Sequence, residues 1–340
     1  MKRVGILGAS GYAGVELLRL LAQHPTFEVA YAAGESAAGE TVGELYPSLA
    51  AAYPDTVYEA VDVDKAASCD LVFLALPHGA SSAIIPSLVD RVAGIVDLGA
   101  DFRLRDPALY HRWYGEPHPA PELLDRFVHG IPELHRDEIA RSRLVAAAGC
   151  YPTAAALALA PLVAAEVIEP IGVIVDAASG VSGAGKAPKT TTHFNTVDED
   201  FTAYGLLNHR HTPEMEQAIR AQILFTPHLA PMNRGILATC YARPTAPTET
   251  STESLLAILA DAYANEPFVV VSERLPSTKA TLGSNAAHVT VRFDDRTGWI
   301  VALCAIDNLG KGAAGQMVQC ANIAAGLPET AGLSVAGLFP

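Results

Sequence analysis

The first thirty-three residues of this chain constrain its fold more tightly than any other stretch. Arg3 to Leu7 reads as a buried strand, Gly8-Ala9-Ser10-Gly11-Tyr12-Ala13-Gly14 follows without a spacer, and Tyr12 to Gln23 has amphipathic helical spacing. Phe27 to Ala33 then reads as a second strand. A strand, a crossover helix and another strand belong to a parallel sheet, because the helix returns the chain to start again in the same direction. Leu71 to Leu76 and Gly94 to Leu98 are further short apolar runs ending in Pro or Gly, and Arg143 to Ala148 completes the series. The pattern predicts a doubly wound α/β half.

Glycines placed between a strand and a helix let backbone approach a pyrophosphate, and the helix start supplies amide donors. Gly8, Ser10, Gly11, Tyr12 and Gly14 are therefore candidate contacts of a dinucleotide. The spacing is G-x-x-G-x-x-G rather than G-x-G-x-x-G, and a tight turn with no ligand would use the same glycines. The second strand ends at Gly34-Glu35-Ser36. A glutamate there favours a ribose hydroxyl, whereas Ser36 and its small neighbours admit a phosphate, so these residues leave NAD and NADP both open.

Beyond residue 150 the pattern changes. Gly172 to Ala178, Ile223 to Leu229, Gly235 to Ala242, Ala286 to Phe293 and Trp299 to Ile306 read as longer strands. Pro213 to Gln222 and Ser251 to Ala264 are the main helices between them. That suits an α+β domain with a mixed or antiparallel sheet and helices on one face. Lys311 to Ala325 looks helical again, as a terminal helix that docks on the first domain would. With 340 residues the chain is long enough for two cores. Its net charge of −14 argues against nucleic acid and anionic membranes as partners. The five cysteines are scattered, with no CxxC, so neither a disulfide framework nor a metal site is indicated and a cytoplasmic location is expected. Gly8 and Ser10 cut the N-terminal apolar run too early for a signal peptide. Gly149, Pro152, Pro161 and Glu166 interrupt the Ala-rich region from Val145 to Ile168, which argues for a buried strand and helix over a membrane span.

Four stretches carry chemistry. Gly149-Cys150-Tyr151-Pro152-Thr153 lies between an apolar strand and an Ala-rich helix. A cysteine at a helix N-terminus sits at the positive end of the backbone dipole, which favours the thiolate, and the thiolate is the nucleophile. The bland alternative is a cysteine packed as a small hydrophobe. Asn208-His209-Arg210-His211-Thr212-Pro213-Glu214 opens a helix with Thr212 as N-cap and Pro213 in the first turn. The two histidines would point to different sides of an extended segment, so a shared metal is not expected, and one of them could serve Cys150 as an acid/base. Ser179-Gly180-Val181-Ser182-Gly183-Ala184-Gly185-Lys186 has the composition of an anion-binding loop. In Asp97-Leu98-Gly99-Ala100-Asp101-Phe102-Arg103, Arg103 is either a phosphate or carboxylate clamp or a structural partner of Asp101.

Taken together these motifs resemble one family. GASGYAG, the PHG at Pro77 to Gly79, ADFR at Ala100 to Arg103, GCYPT, SGVSGAGK, HRHTPE and Asp307-Asn308-Leu309 occur in the order seen in the longer type of N-acetyl-γ-glutamyl-phosphate reductases. The resemblance runs from residue 5 to about 320. It implies an NADPH-dependent oxidoreductase of arginine biosynthesis that converts N-acetylglutamyl 5-phosphate into the 5-semialdehyde. Carried over by position, Cys150 is the nucleophile and His211 the acid/base. Gly8, Ser10, Gly11, Tyr12, Gly14, Ser36, Pro77, Ser182, Gly183 and Asn308 would hold NADP, and Arg103, Lys186 and Arg210 the substrate, with no metal. The implied architecture is a Rossmann domain of residues 1–150 and 311–340, closed by the C-terminal helix. A catalytic and dimerisation domain would span 151–310, in a homodimer or homotetramer. Glu35-Ser36-Ala37-Ala38 departs from the family's usual arginine after the second strand. The alternatives of the same covalent logic are the aminoadipyl-phosphate reductase of lysine biosynthesis and an aspartate-semialdehyde dehydrogenase-like enzyme.

Overall fold

In a computed structural model, which describes residues 1–339, the chain forms two compact units. The first comprises Met1–Ala148 and Ala313–Leu333, and the second Gly149–Gly312 with the tail from Ser334. Two details differ from the division implied by the sequence. Gly149 and Cys150 open the long helix of the second unit rather than closing the first. The tail is tied to the second unit, where Asn285 N–H donates to Ser334 O (2.8 Å) and Leu338 N–H to Leu282 O (2.7 Å).

The first unit is a six-stranded, wholly parallel sheet. Its strands are β1 (Lys2–Leu7), β2 (Phe27–Ala33), β3 (Leu71–Leu74), β4 (Gly94–Asp97), β5 (Val128–Gly130) and β6 (Leu144–Ala147). They lie in the order β2-β1-β3-β4-β6-β5. Both faces are buried, which is why these strands read as continuous apolar runs rather than alternating ones. Val4, Ile6, Phe73, Val96 and Val145 belong to one core cluster, and Leu7, Val72, Leu74, Ile95 and Leu144 to another. The helix Gly315–Ala324 lies in the first of these, through Met317, Val318, Cys320 and Ala321.

The second unit carries a seven-stranded mixed sheet. Its strands are β7 (Val173–Gly180), β8 (Thr202–Ala203), β9 (Ile223–Ala230), β10 (Ile236–Ala242), β11 (Val269–Val271), β12 (Ala287–Asp294) and β13 (Trp299–Ile306). The order is β11-β12-β13-β10-β7-β9-β8. The helix Cys150–Ala164 packs on β10, β12 and β13 with every residue from Tyr151 to Leu162 buried. The strands beneath it alternate: Ile236, Ala238 and Cys240 are buried, while Leu237, Thr239 and Tyr241 on the opposite face are half-buried. No helix among the described residues is long and apolar enough to cross a membrane.

Candidate active site

In the first unit the Gly8–Gly14 turn is built for close backbone approach. Gly8 sits at φ +87°, and a Cβ there would lie 2.3 Å from Ala75 O. A Cβ at Gly14 would meet Gly8 O at 2.2 Å and Ala9 Cα at 2.6 Å. Only hydrogen fits at either position, so the helix Tyr12–Leu21 starts hard against the end of β1. Gly11 is its N-cap with no side-chain cap, so the first-turn amides are left to an anion. Gly34, at the end of β2, packs on the same turn: its Cβ would meet Ser10 Oγ at 2.8 Å. A backbone cradle of this kind fits a pyrophosphate, and Ser36, just beyond the end of β2, is exposed.

The ends of β3 and β4 hold a buried acidic cluster. Asp101 accepts from Gly79 N–H (2.9 Å) and Ser82 N–H (3.0 Å), and His78 Nδ1 lies 2.7 Å from its Oδ1. These contacts hold its carboxyl below the usual range against the opposing effect of burial. Asp97 is fully buried, which raises it to about 6 despite hydrogen bonds from Ser81 Oγ and Gly99 N–H. Arg103 is 5% exposed, donates from Nη2 to Leu98 O (2.6 Å), and its charge favours ionised Asp97. The guanidinium is therefore part of the packing of this loop. Pro77 precedes His78 in the same unit.

The catalytic candidates belong to the second unit. Cys150 occupies the first position of its 15-residue helix and is half-buried, unlike Cys69, Cys240, Cys304 and Cys320, which are buried. The HRH segment is not extended, as the sequence suggested. It turns into the helix Thr212–Ile219 with His211, rather than Thr212, at the N-cap. The two imidazoles consequently meet edge to face, with ring centroids 4.9 Å apart and planes at 68°. His211 N–H donates to His209 Nδ1 (3.1 Å), which requires that nitrogen to be unprotonated. Burial and the Arg210 charge hold His209 down at about 4, consistent with that role.

Glu214 joins the two motifs. It is 1% exposed and its Oε1 accepts the buried Gly149 N–H at 2.8 Å. The first turn of the histidine helix is thereby fastened to the residue preceding Cys150. Tyr151 completes the junction, with its ring edge-on to His209 (5.6 Å), His211 (6.0 Å) and Phe225 (5.1 Å). Its hydroxyl donates to His228 O and accepts from Tyr204 OH (3.1 Å). Burial raises both phenols, Tyr204 to about 12, and negative charge at Cys150 raises them further. Glu214, Tyr151 and Tyr204 went unrecognised in the sequence, where Glu214 read only as an acid in its own helix's first turn.

A second set of contacts backs the cysteine. Asp307 is fully buried and accepts from Arg234 Nε, Gly283 N–H (2.6 Å), Leu309 N–H and Gly310 N–H. Its carbonyl accepts Gly312 N–H (2.9 Å), and a Cβ at Gly312 would lie 2.8 Å from Cys150 Cβ. Asn308 Nδ2 donates to Ser182 Oγ (2.9 Å) and its Oδ1 accepts Gly235 N–H. This brings together two of the three sequence candidates, Ser182 and Asn308, with Gly183 alongside. Lys186 and Arg210 are exposed. Among the described residues no group of three or more His, Cys, Asp or Glu could hold a metal ion.

Residues 3–142 match the family model described as semialdehyde dehydrogenase, NAD binding domain, and residues 150–308 the one described as semialdehyde dehydrogenase, dimerisation domain. Aspartate semialdehyde dehydrogenase II of Vibrio cholerae, solved with ASA, superposes with a TM-score of 0.71 over 95% of this chain and 98% of that one, at 18% identity. The aspartate semialdehyde dehydrogenase of Candida albicans, solved with NADP, gives 0.70 over 95% and 98%, at 16% identity. At such identities the likeness shows the fold alone. Curated relatives go further. A protein of Symbiobacterium thermophilum named N-acetyl-gamma-glutamyl-phosphate reductase is 48% identical over 98% of both chains. One of Desulforudis audaxviator with the same name is 46% identical over 100% of both. With that identity over nearly the full length of both chains, the chain belongs to the N-acetyl-γ-glutamyl-phosphate reductases.

Proposed function

We propose that this chain reduces N-acetyl-L-glutamyl 5-phosphate to N-acetyl-L-glutamate 5-semialdehyde with NADPH, releasing phosphate, as a step of arginine biosynthesis. The observation that carries this reading is the Glu214–Gly149 hydrogen bond. It fastens a histidine turn to the start of a cysteine helix, the arrangement that covalent acyl transfer by a thiolate requires.

Cys150 attacks the acyl carbonyl while His211 takes the thiol proton. The C–S bond forms, the C–O bond to phosphate breaks, and a thioester remains on Cys150. First-turn amides of the cysteine helix donate to the developing oxyanion. NADPH, when bound, supplies the hydride that reduces the thioester. The C–S bond then breaks, the aldehyde departs, and His211 returns its proton to the sulfur. Gly8, Ser10, Gly11, Tyr12, Gly14, Ser36 and Pro77 of the first unit, and Ser182, Gly183 and Asn308 of the second, would hold the cofactor. Lys186 and Arg210, both exposed, would meet the substrate's phosphate and carboxylate, which the chain's overall charge repels, while Arg103 would position its loop through Leu98 O. His209 is a positioning residue, since its neutral ring receives the His211 amide.

The chain works as a homodimer or homotetramer. The half-buried apolar face of the second sheet, with Leu237, Tyr241, Val301 and Leu303, supports this reading, as does the dimerisation-domain match. A reverse assay tests the activity: phosphate, NADP and N-acetylglutamate semialdehyde should give NADPH, and aspartate semialdehyde should give far less. Equal rates, or a preference for the aspartate compound, would overturn the substrate assignment.

A further inference from the structure

We propose that Gly312, held in place by Asp307, is a positioning residue for Cys150. The proposal rests on Cys150 as the nucleophile. After β13 the hydrogen bond from Gly312 N–H to Asp307 O (2.9 Å) spans five residues, where an α-helix spans four. It belongs to a π-helical turn, Gly310–Ala314, a form of helix that occurs mostly as single turns and often at functional sites. The residue this turn sets against the cysteine is Gly312. A Cβ there would lie 2.8 Å from Cys150 Cβ and 3.2 Å from Cys150 Cα, and the sulfur is farther from that point than either. Gly312 therefore bears on the rigid stem of Cys150 rather than on its reactive end.

Asp307 makes this turn stiff. Its carboxylate accepts Leu309 N–H (2.9 Å) and Gly310 N–H (3.0 Å) from the turn itself. It also accepts Gly283 N–H (2.6 Å) and Arg234 Nε (3.0 Å) from two other segments. A Cβ at Gly310 would lie 2.3 Å from Ser284 O, so the turn is packed onto the same segment that Asp307 ties. Cys150 is fixed independently, through the bond from Gly149 N–H to Glu214 and through a helix buried from Tyr151 to Leu162. A methyl group at position 312 meets Cβ and Cα, which no rotamer change can move aside. Carbon atoms pack at about 3.5–4.0 Å, so it would displace the start of the cysteine helix by roughly 1 Å.

Two reactions of the same sulfur separate position from reactivity. Phosphate release from N-acetylglutamyl 5-phosphate, without nucleotide, reads the oriented attack, whereas alkylation by iodoacetamide needs only the thiolate. Gly312→Ala should slow phosphate release by about thirtyfold or more and leave alkylation of Cys150 within about threefold of wild type. Asp307→Asn keeps the side-chain shape but has one acceptor oxygen for four donors. It should slow phosphate release by about tenfold, and it carries the test if urea curves show Gly312→Ala unfolded. In the reverse assay kcat should fall in both variants, with KM for phosphate within about threefold of wild type. A folded variant whose phosphate release stays within about threefold of wild type, or whose two reactions slow in parallel, would overturn the positioning role. A wild-type chain that releases no phosphate beyond spontaneous hydrolysis would instead overturn the nucleophile reading beneath it.

Discussion

Replacing Glu214 with alanine tests how the two proposed catalytic motifs are held together. The side chain is 1% exposed, and its loss leaves the buried Gly149 N–H without its 2.8 Å acceptor. A charge-assisted hydrogen bond contributes about 1.5–3 kcal/mol and a buried donor left unsatisfied costs about 1–3 kcal/mol, two views of the same loss. Glu214→Ala should therefore lower unfolding stability by about 2–3 kcal/mol. The catalytic effect should be larger than that suggests. His211 sits three residues before Glu214 at the same helix end, so release of this tie lets the imidazole drift relative to Cys150. A displacement of about 1 Å at a reacting group costs on the order of a hundredfold in rate. Glu214→Gln preserves an acceptor of the same length and should stay within about tenfold of wild type. Urea unfolding gives the stability change, and the reverse assay gives kcat for each variant in protein that urea curves show to be folded. A folded Glu214→Ala variant with kcat within about threefold of wild type would refute the reasoning.

Other residues give equally direct tests. Gly14→Ala places a Cβ 2.2 Å from Gly8 O, which backbone cannot avoid, so NADP binding by calorimetry should weaken at least about tenfold. His211→Asn should lower kcat by about a hundredfold or more and His209→Asn much less, measured in the reverse assay; the opposite order would exchange their roles. His209 is held down at about 4 against an ordinary 6.5, so its contribution to stability is present above pH 6.5 and lost as pH falls through 4. The loss is at most about 3 kcal/mol, and in His209→Gln the urea midpoint should fall less steeply over that window.

Most strands were legible because their residues obey simple rules. β1, β2, β10 and β13 are each framed by turn residues and carry either a continuous or an alternating apolar pattern, and the observed ends fall within about two residues of the expected ones. The strands left unread are short: β5 has three residues, β8 two and β11 three, too few for a period to register. The candidate site was readable in its cysteine and histidines, whose chemistry residue type suggests. Its fastening was not. Glu214 could equally have served its own helix, and only the fold brings it to Gly149, 65 positions away. The histidines were misjudged for a related reason. An extended segment would have splayed His209 and His211, but the chain already turns at Arg210, and the rings meet edge to face. Arg103 shows the same limit, since no local pattern foretells that a motif arginine will be buried with its guanidinium on Leu98 O.

The covalent step is the centre of the proposed mechanism, and peptide mass spectrometry reaches it directly. The chain is mixed with N-acetylglutamyl 5-phosphate in the absence of any nicotinamide nucleotide, quenched in acid and digested. One N-acetylglutamyl group should appear on the peptide bearing Cys150, with phosphate released in equal amount, and Cys150→Ser should show neither while still binding NADP. A wild-type chain that turns over with NADPH yet never carries the acyl group on Cys150, or a Cys150→Ser variant that retains more than about one per cent of the activity, would contradict a cysteine thioester.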